Sequence, residues 1–349
     1  MTDLLESILR QKNIDDKIIN DVIDSGYFTL DGQYIHDAMY GDKMFSSSFE
    51  LSKFISYING EDSFADLRKY SHFKTYTVKN IEDIKNILNT PRILHYINEG
   101  TLSYRGQSKE YHFKRKIPNP FRRILTPGNL YNHELAILPG LYRSKDKMYS
   151  FSVKIKENIS ILHFLHLISA EFENRNLFDI SYSPDVVRVE QHYSHPTEGL
   201  DISFDIETAI FFATYKYINE RGKATYRKID PGNHKGVIYC FRFGSPSVRE
   251  TEYLIKDFDL CKKYVPERIL RQRCGLPLFS PYERNIAVCD IDCIIYLDKN
   301  FDYSGMKTPQ YMFPNEEQDS FYGQIMKIKR LRPKLFHHIP EYCFDTPGN

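Results

Sequence analysis

Four stretches of the chain gather residue types that do chemistry. The first, "LSYRGQS" over 102–108, ends an apolar and aromatic run on Arg105, with Gly106 and Gln107 directly behind it. A guanidinium forks onto phosphate or carboxylate through parallel N–H donors. A glycine beside it lets a ligand approach the backbone closely. The same arginine could equally pair with an ordinary surface carboxylate. The second stretch, "EQHYSHPTEGLDIS" over 190–203, crowds Gln191, His192, Tyr193, His195, Thr197, Asp201 and Ser203 together. A strand over 199–203 would point Leu200 and Ile202 one way and Asp201 and Ser203 the other, giving one polar face. His192 precedes a proline turn, where an imidazole can act as a general base or sit in a core bonded to backbone. It has no His-x-x-x-His or cysteine partner at metal-site spacing, so no metal is expected. The third, "ERILRQRCGLPLF" over 267–279, sets Arg268, Arg271, Gln272 and Arg273 just before Gly275, a basic helix end running into a tight feature. The fourth, "KEYHFKRKIPNPFRR" over 109–123, interleaves Lys109, Lys114, Arg115, Lys116, Arg122 and Arg123 with Tyr111, Phe113 and Phe121. That mixture suits a nucleic acid or another phosphate-bearing partner, and a solvated loop as well.

Bulk properties bound the classes these stretches can serve. A chain of 349 residues exceeds one core of typical domain size, so a main domain with added segments is expected. The formal charge of +1 rules out the whole molecule as an electrostatic binder of nucleic acid and leaves only local patches. Tyrosine (26) and phenylalanine (24) are abundant and tryptophan is absent, so many ring faces also carry a hydroxyl. No Walker loop, Gly-x-Gly-x-x-Gly, Gly-x-Ser-x-Gly or His-Glu-x-x-His occurs, which argues against P-loop NTPases, ordinary Rossmann enzymes, α/β hydrolases and zincins. The N-terminus lacks a basic segment followed by an apolar one, and no apolar run approaches the roughly 18 residues of a membrane span. The six cysteines have no framework spacing and read as reduced, packed thiols. A cytoplasmic protein without a membrane partner is the expectation.

The elements that must position these residues follow from periodicity. Over 1–74, Leu4, Leu5, Ile8 and Leu9 and then "DDKIINDVIDSG" repeat at helical spacing, and "FELSKFISYI" and "DSFADLRKYS" add two short amphipathic pieces. A helical N-terminal unit is predicted there. From residue 75 the texture is mixed. "FKTYTV", "TLSYRGQS" and "GVIYCFRF" read as strands, and "ERILRQRCGLPLFSP" and "CDIDCIIYLD" as further helix or strand. "NIEDIKNILNT", "HELAIL", "NISILHFLHLISAEFENRN" and "DIETAIFFATYKY" read as helices, the last capped by Asp205. "YRKIDPGNHKG" reads as a surface excursion, and 301–349 as a polar, aromatic C-terminal extension. Helices and strands neither alternate strictly nor segregate, which predicts an α+β fold: a small twisted sheet with helices packed against it.

Taken in order, the motifs resemble the FRG-domain family, named for an aromatic-Arg-Gly signature. The pattern opens with Tyr104, Arg105, Gly106 and Gln107, and continues with Glu134, Pro139, Gly140 and Arg143. It resumes with Gln191, His192, Pro196, Thr197, Leu200 and Asp201, with Ser203 where threonine is usual. Ala209, Phe212 and Ala213 follow, and Arg268, Gln272, Gly275 and Phe279 close it. The resemblance covers about 75–300, and Ser194-His195 and Glu198-Gly199 depart from the family's usual residues. The motif order is in turn similar to that of ADP-ribosyltransferase folds, which implies a split sheet and NAD as substrate. On that likeness Arg105, His192, Asp201 and Gln272 are the catalytic candidates. Tyr104, Gly106, Gln107, Gln191, Thr197, Ser203, Glu134 and Arg143 are the NAD-binding ones. Arg105 would hold a phosphate or ribose, and Asp201 and Ser203 would support the nicotinamide ribose. No clear late glutamate is present: Gln272 stands near that place, Glu267 and Glu283 lack a motif, and Glu134 or Asp201 could take the role. The implied activity is ADP-ribose transfer to a macromolecular acceptor, which could be a nucleic acid, in a bacterial toxin or anti-phage system with a regulatory protein partner. Two other readings stay open from the residues: a module that binds a nucleotide or nucleic acid without turnover, and a nuclease with His192 as general base.

Overall fold

A computed structural model of the chain describes residues 2–25, 28–37, 39–40, 50–61, 74–119, 133–143, 184–194, 196–243, 264–279, 283–303, 305, 307–334, 336–337 and 339–344. The helix expected over 158–176, the piece over 62–71, His195, Phe121, Arg122 and Arg123 lie outside the described residues. Among the described residues the protein is mixed α+β with four sheets. Its segments group into two compact units: Met1–Lys74 with Glu110–Ser150 and Phe279–Ile291, and Thr75–Lys109 with Phe151–Leu278 and Asp292–Asn349. Of the blocks 1–74, 75–300 and 301–349 expected from the sequence, the middle one is divided between the two units.

In the first unit, helices Thr2–Gln11 and Asp16–Ser25 bury Leu5, Leu9, Ile19 and Val22. The unit is not purely helical as expected, because "FTLDGQYIHD" forms a hairpin of Phe28–Asp31 and Tyr34–Asp37. Its loop is Gly32–Gln33, with Gly32 at φ 58, which a glycine adopts without steric cost at the first position of a tight hairpin turn. Phe28, Leu30 and Ile35 turn inward onto Phe54 of helix Leu51–Ile58. The "HELAIL" segment is a strand, His133–Leu135, and not the start of a helix. It pairs with His112–Lys114, and the chain then continues extended to a short turn of helix at Gly140–Arg143.

The second unit is built on a six-stranded sheet. Its strands are β1 (Lys74–Val78), β2 (Ser103–Gln107), β3 (Ile202–Ser203), β4 (Val237–Phe241), β5 (Cys274–Gly275) and β6 (Ile291–Leu297), in spatial order β5-β3-β2-β4-β6-β1. β2 is antiparallel to β4, with Arg105 opposite Tyr239, and antiparallel to β3 through Tyr104 opposite Ser203. β4 is buried at every residue, as its unbroken apolar run requires. Helix Ile206–Thr214 packs on the Tyr104 face of the sheet, burying Ala209, Ile210 and Ala213 against Ile238. It ends three residues earlier than "DIETAIFFATYKY" suggests. From Tyr215 the chain becomes a strand, Tyr215–Glu220, which turns at Arg221-Gly222 and pairs with Lys223–Lys228. The aromatic and β-branched residues Tyr215, Tyr217 and Ile218 favour that extended pairing over another helical turn. The first three residues of the expected surface excursion, Tyr226, Arg227 and Lys228, thus belong to the second strand of this ribbon.

The C-terminal segment completes a core. Helix Ser320–Leu331, capped by Asp319, buries Phe321, Tyr322, Ile325 and Met326 against Tyr193, Ile269 and Cys274. Two of its three basic residues are in ion pairs, Lys329 with Glu341 and Arg330 with Glu316.

Candidate functional site

Strand alternation explains the local geometry of β2. Tyr104 faces the core under helix Ile206–Thr214, so Arg105 faces the opposite side of the sheet. Its guanidinium donates to the backbone carbonyl of Asp201, the residue just before β3. Gly106 is set by packing and not by an approaching ligand: a Cβ there would lie 1.8 Å from the carbonyl oxygen of Ala209. The glycine lets the helix settle onto the strand. Gln107 is partly buried, and its side-chain oxygen is buried without a hydrogen-bond partner.

Asp201 is the centre of the polar cluster. β3 itself covers Ile202–Ser203, and its register against β5 continues to a bridge between Gly199 and Leu278, so Asp201 lies on the extension of the strand that the sequence predicts over 199–203. Its Oδ2 accepts from Gln191 Nε2 at 2.9 Å, and its Oδ1 lies 3.7 Å from His192 Nε2. Gln191 and His192 occupy the last turn of helix Pro184–Tyr193. The side-chain Oε1 of Gln191 accepts from the Thr197 N–H (2.7 Å) and hydroxyl (2.8 Å), and the same hydroxyl oxygen accepts from the Gly199 N–H. One glutamine therefore ties the 196–200 loop to the helix and orients the carboxylate.

His192 Nε2 also lies 2.8 Å from Cys274 Sγ, on β5. Burial pushes the imidazole below its ordinary value, with Asp201 opposing and nearby Arg268 adding to the shift. Burial pushes the Cys274 thiol well up, with the Asp201 carboxylate adding. Burial thus opposes both the imidazolium and the thiolate, so Cys274 is not an activated nucleophile; the tautomer of His192 sets the direction of its hydrogen bond to the thiol, which also donates to the Gly275 carbonyl at 3.3 Å. The His192 side chain is only 6% exposed, whereas that of Asp201 is 38% exposed.

Arg268 holds the helix end that carries this cluster. It is fully buried, and its Nη1 donates to the His192 carbonyl at 2.7 Å, satisfying one of the open carbonyls of the last turn. Its guanidinium packs over the rings of Tyr193, Tyr322, Tyr342 and Phe313, 4.5–5.2 Å from their centroids. Cation–π attraction offsets part of the cost of burying that charge.

The remaining site residues expected from the sequence fall elsewhere. Ser203 donates to the Gln272 backbone carbonyl at 2.6 Å and accepts from the Asp205 N–H. Gln272 is buried, and its side chain donates to the Met312 carbonyl at 3.1 Å. Its amide is thus committed to holding the 308–313 turn rather than to a substrate. Glu134 and Arg143 belong to the first unit. Glu134 is fully buried, with Oε1 accepting from Arg115 Nε and the Asn119 N–H (both 2.6 Å) and Oε2 from the Tyr40 hydroxyl and Arg115 Nη2. Both of its oxygens are used in the core, which leaves none for a ribose. Arg143 is exposed and donates to the Leu138 carbonyl. Cys274 and the supporting role of Arg268 were missed by sequence reasoning. Cys274 sits in "RQRCG", but only the β5–β3 pairing, 71 residues apart at Cys274 and Ser203, brings it to His192.

No family model matches the chain, and no curated protein or solved structure matches it either. No described helix is long and apolar enough to cross a membrane.

Proposed function

We propose that the protein is an FRG-type, ADP-ribosyltransferase-like module that transfers ADP-ribose from NAD to a macromolecular acceptor. The observation that carries this reading is the junction of Arg105 with the Asp201 segment: the strand-borne guanidinium bonds to the backbone carbonyl of Asp201, whose carboxylate is partly exposed. In the transfer, the bond between ribose C1′ and the nicotinamide nitrogen breaks and nicotinamide leaves with the bonding pair. Positive charge develops on the ribose, and a fixed carboxylate stabilises it. Asp201 fills that role in place of the absent late glutamate, and Gln191 keeps its carboxylate oriented. An acceptor nucleophile then bonds to C1′ and releases a proton to solvent. The motif order supports the split-sheet reading, and the absence of a membrane-spanning helix among the described residues fits a cytoplasmic toxin or anti-phage effector acting with a regulatory partner. His192 suits the nuclease reading less, because its nearly buried Nε2 faces Cys274 and Asp201.

The test is incubation of the purified protein with adenylate-labelled NAD and cell extract. Label on a macromolecule together with free nicotinamide is expected, and both should fall in Asp201→Asn. A folded protein that yields neither overturns the reading, and salt-sensitive nucleic-acid binding without NAD loss would replace it with a binding module.

A further inference from the structure

Three metal-ligating side chains from separate segments converge in the second unit: His192 at a helix end, Asp201 before β3 and Cys274 on β5. One donor atom from each, Nε2, a carboxylate oxygen and Sγ, lies within 4.8 Å of the others. We propose that His192, Asp201 and Cys274 form a binding site for a zinc-type divalent transition metal. The site shares Asp201 with the transfer reading but does not rest on it.

The geometry separates this from the obvious alternative, a Cys-His-Asp nucleophile. In such a triad the thiol and the carboxylate bond to opposite ring nitrogens, so that the acid orients the base. Here Cys274 (2.8 Å) and Asp201 (3.7 Å) both face Nε2. Donors that crowd one side of one nitrogen are arranged around a point, as ligands are. In a tetrahedral zinc site, bonds of about 2.0–2.3 Å put neighbouring ligand atoms roughly 3.3–3.6 Å apart. The imidazole and carboxylate are already near that spacing, and the thiol reaches it by moving outward by about 1 Å or less.

Asp201 Oδ1 supplies an independent observation. It is buried without a hydrogen-bond partner, while Oδ2 of the same group is satisfied by Gln191. A buried carboxylate oxygen left unpaired is costly, and a bound cation removes that cost. The Gln191 contact is then the outer hydrogen bond that ligating carboxylates usually have, and Arg268 fixes the backbone of the ligating histidine.

The donor set selects the ion. Nitrogen, thiolate sulfur and one carboxylate suit zinc or cobalt, and not the oxygen-only preferences of magnesium and calcium. On binding, the Cys274 S–H bond breaks, a sulfur–metal bond forms and the proton passes to solvent. Thiolate and carboxylate together cancel the double charge of the ion. That neutrality matters, because Arg105, Arg188 and Arg268 act on the same groups and oppose a bare cation. Three protein ligands leave a fourth position for water or a donor atom of a substrate.

The experiment is a titration of metal-free, full-length protein with Co2+, read by near-ultraviolet thiolate-to-cobalt absorption and by competition with Zn2+. A band that saturates at one ion per chain and is displaced by Zn2+ is expected. Cys274→Ser should abolish it, and Asp201→Asn and His192→Gln should weaken binding by about 10- to 100-fold or more. Cys343→Ser, at an exposed free cysteine, should retain the band. Folded wild-type protein without the band overturns the proposal, as does a band that survives in Cys274→Ser. Should Cys274→Ser fail to fold, undiminished cobalt affinity in His192→Gln overturns it equally. None of these readouts involves NAD, so failure of the metal site and failure of ADP-ribose transfer are distinguishable.

Discussion

Each unit contains a polar cluster organised by an arginine, and the two are built on different terms. Around Arg115 in the first unit, all three guanidinium nitrogens donate to Asp37 or Glu134, while Tyr40, Asn119 and the Met39 N–H donate to the same carboxylates. Asp37 and Glu134 are almost fully buried. Around Arg105 in the second unit, the carboxylate is partly exposed, one of its oxygens is unmatched, and a histidine and a cysteine converge on it. A saturated buried network contributes structure and has no valence left for a ligand. A carboxylate that is held firmly on one oxygen and left open on the other retains a valence that chemistry can use. By that criterion Glu134, although the FRG resemblance includes it, is a core residue, and Asp201 is the carboxylate we propose as functional.

The comparison breaks most visibly through Arg115→Met. Removing the cation strands two buried carboxylates, and such a loss costs about 3–5 kcal/mol. Urea denaturation should show a lower midpoint of that size, and a change below about 1 kcal/mol would mean that the network is not closed as described. Asp201→Asn should do the reverse. Transfer should drop about 100- to 1000-fold, the usual loss when one charge-stabilising group is removed. Stability should shift by less than about 1 kcal/mol, since the group is partly exposed. A large stability loss with unchanged transfer would invert the assignment of the two clusters.

The contrast between the clusters was only partly legible in the sequence. Arg105, Gln191, His192 and Asp201 were visible because they sit in two short stretches with unusual composition. Their mutual contacts depend on β3 pairing with β2 across roughly a hundred residues, which no local pattern encodes. The "FTLDGQYIHD" hairpin was legible: an Asp-Gly step between alternating apolar residues is a strong turn signal. It was overridden by the helical texture on either side. The end of helix Ile206–Thr214 was not legible, because Tyr215 and Tyr217 are tolerated in a helix and only the partner strand decides. Glu134 was misread for a related reason: a motif position says nothing about burial, and Asp37 and Arg115 enclose it from distant segments.

Gly106→Ala sharpens what surrounds Arg105. The added methyl would meet the Ala209 carbonyl, so helix and strand must separate, at about 1–3 kcal/mol. Thermal unfolding should register that loss, while ligand affinity per folded molecule should stay close to wild type. Stability unchanged with NAD affinity abolished would instead return Gly106 to the role of a ligand-facing glycine.

The smallest effect concerns the charge of the saturated cluster. Two carboxylates share one guanidinium, so the fully ionised network carries a net buried negative charge. Burial, with Asp37 adding and Arg115 opposing, raises the Glu134 carboxyl above its ordinary value. The native state therefore retains a proton that the unfolded chain has released. Stability from this group is fully present below the ordinary carboxylate range and declines as pH rises through the raised value. Glu134→Gln replaces the protonated form with a permanently neutral one and should flatten that decline by at most one proton per chain. Urea midpoints across the acid range measure the slope. An unchanged slope in the variant would mean that Glu134 is ionised in the native state, its charge held by Arg115 together with the hydrogen bonds of the Tyr40 hydroxyl and the Asn119 N–H.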